Sequence, residues 1–200
     1  GVLLSSNEII RVDDFIKLTQ EAEQYDYAIE TIEEPLVLLP GLIDAHTHIC
    51  FAGSRANDYA MRVAGKSYLD IARSGGGILD SVRKTREATV IELVELLKRR
   101  CDRHFKEGIT TCEVKSGYGL SVDDEIKMLE AIQLVNKHHA IDLIPTCLAA
   151  HMRPPEYSES KAYLDTILEE LLPVIKEQQL ANRVDIFIED TAFTETEAIE

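Results

Sequence analysis

The 200-residue chain is 45% apolar and 28% charged, an ordinary globular mix with enough length for a sizeable core and too apolar for disorder over most of its span. Its 21 lysines and arginines against 36 aspartates and glutamates leave a net charge of −15, which repels nucleic acid and anionic lipid, so neither is expected as a partner. No apolar run approaches the ~20 residues that span a bilayer.

Residues 1–35 match neither helical nor strand periodicity well. Ile9, Ile10 and Val12, then Tyr27, Ile29 and Ile32, suggest short strands around a polar, partly helical stretch from Asp13 to Asp26, as in the tail of a small β-rich flanking module. After the apolar run Leu36–Leu39 and the turn signal Pro40-Gly41, residues 42–49 read as a buried strand with a polar end at His46 and His48. Residues 52–77 read as loop with a short helix over Tyr68–Arg73, and Gly75-Gly76-Gly77 belongs in a loop. Leu93, Leu96, Leu97, Cys101 and Phe105 predict a helix within 85–107, stopped by Gly108. A strand over 109–115, a helix over 122–138 and a strand over 141–148 interrupted by Pro145 follow. Then come a helix over 163–180 with a kink or break at Pro173, a strand over 184–188, and a helix start at Thr194 with Glu197 completing a capping box.

Strict alternation of strand and helix predicts a parallel α/β sheet, which a doubly wound fold and a barrel both satisfy. No Gly-x-Gly-x-x-Gly follows a strand, which weakens a dinucleotide-binding reading. The polar residues decide for the barrel. His46 and His48, Lys115 and Tyr118, His151, and Glu189 and Asp190 all fall at or after strand C-terminal ends, where a (β/α)8 barrel builds its site. Such a barrel takes ~250 residues. The expectation is therefore the first half of a TIM-type barrel over 36–200, behind a module tail over 1–35, in a chain that reads as a piece of a longer protein.

Cys50, Cys101, Cys112 and Cys147 are far apart in sequence, forming neither a zinc ribbon nor a redox pair, and suit a reducing, cytoplasmic compartment. His46-Thr47-His48 carries the sharpest chemistry. Residues two apart in a strand point to one side, so two imidazoles project together, spaced to share a metal ion; two unrelated polar residues at a strand end would look the same.

Pro40 to His48 resembles the opening of the metal-dependent amidohydrolases. Further text narrows the resemblance to the imidazolonepropionase family of histidine degradation: Phe51-Ala52-Gly53-Ser54-Arg55, Ala72-Arg73-Ser74-Gly75-Gly76-Gly77-Ile78, Ser116-Gly117-Tyr118-Gly119-Leu120, and Ala149-Ala150-His151 with Pro154-Pro155-Glu156-Tyr157. The resemblance implies one zinc or iron ion on His46 and His48. It further implies Arg55 as a bidentate clamp for a substrate propionate, Tyr118 as a substrate contact with Tyr68 as a second aromatic wall, and His151 polarising the substrate's ring carbonyl. A solvated loop arginine, a tyrosine packed at a loop edge and a capping histidine are the alternatives for Arg55, Tyr118 and His151. Lys115 reads as structural or hydrogen-bonding, and His104 as partly exposed.

The implied reaction is hydrolytic ring opening of 4-imidazolone-5-propanoate, a small-molecule substrate, to N-formimidoyl-L-glutamate, and a homodimer is one assembly compatible with the resemblance. The rival readings are a deaminase or cyclic-ureide hydrolase of the same superfamily, or a non-catalytic barrel fragment serving binding or assembly. A cysteine frequent in the family near the fourth strand's end is replaced here by Ile188, and later metal ligands and a catalytic glutamate are expected beyond Glu200.

Overall fold

The computed structural model describes all residues except Asn7, Asp190 and Glu200, and the side chains of all of these except Tyr68 and Ala72. Two compact units result, Gly1–Pro40 and Gly41–Glu200. In the first, β1 (Val2–Ser5) and β2 (Glu8–Val12) form an antiparallel hairpin, and α1 (Phe15–Gln24) starts where Asp14 accepts from the Ile16 N–H. The expected strand around Tyr27–Ile32 does not form: these residues carry no regular structure and the three apolar side chains stay exposed, with no partner strand to reward extension.

The second unit is a curled, open four-stranded parallel sheet flanked by helices, the first half of a TIM-type barrel. Its strands β3 (Leu42–Thr47), β4 (Ile109–Lys115), β5 (Asp142–Ala150) and β6 (Arg183–Ile186) lie side by side in chain order. Between β3 and β4 run α2 (Ala56–Val63), α3 (Tyr68–Arg73), α4 (Ile78–Glu87) and α5 (Val90–Lys106). α6 (Val122–Asn136) joins β4 to β5, and α7 (Ser160–Thr166) and α8 (Leu172–Glu177) precede β6; α9 (Glu195–Ile199) follows it. α5 and α6 supply most of the core, through fully buried Leu97, Cys101, Met128, Leu129 and Ile132 against Cys112, Val114 and Cys147 of the sheet.

Several expectations change in physical detail. The helix expected over 85–107 is two helices, because Thr89 caps α5 in a reciprocal box with Glu92 and its extended backbone ends α4. Residues 56–63, expected as loop, form α2; its apolar Tyr59 and Val63 are exposed and its one buried residue is Asp58, so no apolar stripe faces the core. Pro145 does not interrupt β5. It pairs with Val114 on one side and lies one residue before pairing with β6 begins, so its missing N–H leaves no gap in that ladder. Pro173 does not break its helix either: a π-helical turn over Ile167–Leu171 absorbs the lost donor and the chain continues into α8. His104 is buried, its Nδ1 bonded to the Arg100 carbonyl at 2.9 Å.

The sequence predicts a buried β3, yet Leu42 and Ile43 are 57% and 71% exposed, and Val184 on β6 is 60% exposed. These are the sheet's outer strands, and neither outer edge pairs further among the described residues. Apolar side chains beside unpaired backbone groups template association. The 200-residue chain on its own is therefore expected to self-associate, and Ile43→Lys with Val184→Lys to shift it toward monomer; light scattering of the unsubstituted chain as a stable monomer at micromolar concentration would contradict this.

Candidate active site

Parallel pairing in register brings the strand C-terminal ends to one rim. Thr47 pairs with Val114, Lys115 with Thr146, and Ala150 with Ile186, so whatever follows each strand enters the same space. At the end of β3, His46 and His48 bring their Nε2 atoms within 3.3 Å of each other, with ring centroids 5.2 Å apart. Burial, helped by the neighbouring imidazoles and the Lys115 ammonium, pushes the His48 pKa down to about 4, so its ring is neutral at pH 7 and keeps a lone pair. His48 Nδ1 is buried without a hydrogen-bond partner among the described residues.

Three further rings close around this pair. His151, directly after β5, stacks on His48 at 5.2 Å and 22°. Tyr118 meets His48 at 6.1 Å and His151 at 5.4 Å, both edge-on, and Phe51 meets Tyr118 at 5.8 Å. Arg100 fixes Phe51 from behind, its guanidinium 3.8 Å from the ring centroid while it donates to the Ile49 and Phe51 carbonyls. Burial raises the Tyr118 phenol's pKa, with partial relief from the charge of Arg55 and Arg100, so the hydroxyl stays protonated and able to donate.

His151 donates from Nδ1 to the Gly117 carbonyl at 2.9 Å, which places the proton there. Burial lowers its pKa, so the neutral ring presents Nε2 as an acceptor. Polarising a substrate carbonyl requires a donor at Nε2; accepting a substrate N–H fits the tautomer held here.

Arg55 ends a loop at the start of α2. Its Nε donates to Asp58 at 2.5 Å, and Asp58, buried, also accepts from the Gly77 N–H at 2.9 Å. A Cβ on Gly76 would lie 2.4 Å from Asp58 Oδ1, so the glycine run is what lets the backbone close over this carboxylate. Tyr68 opens α3, but its side chain lies outside the described residues, as does Asp190.

Beneath the rings lies a charge cluster. Lys115 is 4% exposed and donates to Asp185 at 2.7 Å and to Glu113 at 3.2 Å, while Thr146 donates to Glu113 at 2.7 Å. Burial disfavours the Lys115 charge, but its two carboxylate partners outweigh this and raise its pKa. Lys115 is thus committed to Asp185 and Glu113. Asp58, Glu113 and Asp185 escape a reading of the sequence, since acidic residues are common throughout it; the i, i+2 step from Glu113 to Lys115 in a strand is the one available sign, and only for Glu113. Among the described residues, no group of three or more histidine, cysteine, aspartate or glutamate side chains gathers around one metal position.

No protein-family model matches the chain. Among known proteins it is 50% identical to the imidazolonepropionase of Shewanella halifaxensis over 157 residues, 78% of this chain and 38% of that protein. It is 48% identical to that of Shewanella sediminis and 49% identical to that of Shewanella piezotolerans, each over 158 residues, 78% of this chain and 39% of the relative. The chain thus spans about two-fifths of the length of the curated relatives it matches. Over these 157 to 158 residues the chain is thus a homologue of imidazolonepropionase, a metal-dependent amidohydrolase-superfamily enzyme, and its half-barrel carries histidines at the strand ends.

Proposed function

We propose that this chain supplies the N-terminal half-barrel, over 36–200 behind a flanking-module tail over 1–35, of an enzyme that hydrolyses 4-imidazolone-5-propanoate to N-formimidoyl-L-glutamate. The observation that carries the proposal is the convergence of His46, His48, Tyr118 and His151 on one rim, in a chain about half identical to imidazolonepropionases. The residues fit a metal ion. Two nitrogens bound at ~2.0–2.1 Å to one tetrahedral zinc lie ~3.3–3.4 Å apart, and the two Nε2 atoms are 3.3 Å apart with the His48 ring neutral. His46 and His48 would hold a zinc or iron ion, which when bound supplies Lewis acidity that brings water's pKa toward neutrality.

The chain's own residues then bind and orient. The opening adds water across the ring amide: a C–O bond forms, the C–N bond breaks, and a proton goes to the leaving nitrogen. Arg55, oriented by Asp58, keeps its terminal guanidinium nitrogens for the propionate, and its charge reaches Tyr118. Tyr118 donates its hydroxyl to the substrate, and His151 Nε2 accepts a ring N–H. Phe51 and Tyr118 shield one side of this space from water, which strengthens each polar contact. Lys115 keeps the strand ends together through Asp185 and Glu113 and takes no part in the chemistry. The four free, buried cysteines suit a reducing, cytoplasmic setting.

The test is turnover of imidazolone propionate, followed as loss of substrate by the protein carrying this chain; no turnover by the metal-loaded protein would refute the proposal. Arg55→Lys is expected to raise KM by about 10- to 100-fold, because an ammonium cannot form the bidentate fork, and unchanged kinetics would remove Arg55 from the site. His151→Ala is expected to lower kcat/KM by about 10-fold or more through loss of one substrate hydrogen bond, and a value within twofold of the parent would exclude that contact.

A further inference from the structure

Glu125 is fully buried near the start of α6 and, among the described residues, hydrogen-bonds to none of the rings that form the candidate site. Its carboxylate is nevertheless bound to the loop that presents them. Oε1 accepts from the N–H of Gly119 at 2.8 Å, of Leu120 at 2.9 Å and of Gly117 at 3.2 Å, and Oε2 accepts from Gly117 at 2.9 Å. Arg86 of α4 grips the same loop through its carbonyls, donating to Gly119 at 2.6 Å and to Leu120 at 3.0 Å while it pairs with Glu156. N–H groups are thus held from one side and C=O groups from the other.

The loop needs holding. Gly117 has φ +104° and Leu120 φ +52°, the latter a left-handed conformation costly for a leucine. A Cβ on Gly117 would meet the Leu148 carbonyl at 2.7 Å, and one on Gly119 would meet α6 backbone at 2.6 Å, so the loop passes too close to both for any side chain. Tyr118 stands between these two glycines, and the Gly117 carbonyl is the acceptor that fixes the His151 ring. One buried carboxylate therefore sets the backbone on which two site residues depend.

We propose that Glu125 is a positioning residue, which with Arg86 fixes the Ser116–Leu120 loop and through it the Tyr118 ring and the His151 tautomer. The value of the inference for catalysis rests on the proposed substrate site; the loop-holding role does not. The buried location makes a carboxylate specific to this job. A carboxylate offers two acceptor oxygens to three converging donors, whereas the nearly isosteric glutamine would turn an NH2 toward N–H groups.

The experiment compares the protein with its Glu125→Gln and Arg86→Gln variants. The first readout is amide hydrogen exchange, which needs neither metal nor substrate. Glu125→Gln is expected to speed exchange at Gly117, Gly119 and Leu120 by about 10-fold, leaving the β4 and β5 amides protected as before. Unchanged exchange at the three amides, or an equal rise across the sheet, would overturn the proposal. Should Glu125→Gln fail to fold, Arg86→Gln decides alone: loosened Gly119 and Leu120 amides over an intact sheet support the loop clamp, and unchanged ones refute it. The second readout is kinetic. Glu125→Gln is expected to raise KM by about 10-fold in the parent and by less than twofold in a Tyr118→Ala, His151→Ala background, because it acts through those residues. A full effect in that background would mean a role unrelated to positioning. If the parent protein turns over no imidazolone propionate, the functional proposal fails while the exchange result still decides the role of Glu125.

Discussion

Everything at the candidate site depends on parallel strand pairing in register. A parallel ladder sends all its strands the same way, so their C-terminal ends, and the residues that follow, emerge on one side. In this chain the ladder sets side by side the ends of β3, β4 and β5, at or shortly beyond which lie His46 and His48, Lys115 and Tyr118, and His151. Residues 105 positions apart in sequence, such as His46 and His151, thereby serve one space. The same geometry places Cys112 and Val114 of β4 toward the helices, and Glu113 and Lys115 toward the interior, by nothing more than the two-residue repeat of a strand.

Charged groups inside such a sheet are stable only when paired, and here each has a defined use. Lys115 joins β4 to β6 through Asp185 and sits close enough to His48 and His151 for its charge to help hold both neutral. Asp58 joins Arg55 to the glycine run before α4, and Glu125 joins α6 to the Ser116–Leu120 loop. Two buried carboxylates, Asp58 and Glu125, therefore tie two connections to the rigid framework, and the residues proposed to touch substrate sit on loops that the framework controls. Exposed Leu42, Ile43 and Val184 mark where the framework stays open.

Much of this was legible in the sequence. The strand–helix alternation and the clustering of polar residues at strand ends lead to a half-barrel, and β4, α6 and α3 fall within two residues of the expected bounds. Local chemistry was readable where one residue type has one use: Gly108 stops α5 at φ +88°, and Thr194 with Glu197 caps α9. What escaped depends on contacts between distant segments. The division between α4 and α5 turns on a capping threonine inside a helical pattern, the continuity through Pro173 on a π turn, and the exposure of β3 on which strands flank it. Glu125 reads in sequence as one more acid in the Asp123-Asp124-Glu125 run, and only the fold separates it from its two exposed or half-exposed neighbours.

The central claim is that His46 and His48 form one half of a metal shell at this rim, and it can be tested without any assay of turnover. Crystals of the metal-loaded protein, measured at the absorption edges of zinc and iron, would locate the ion directly by anomalous scattering. A single peak within bonding distance of both Nε2 atoms is expected. A peak at the Glu113–Asp185 carboxylates instead, or no peak near the two imidazoles in metal-replete protein, would contradict it.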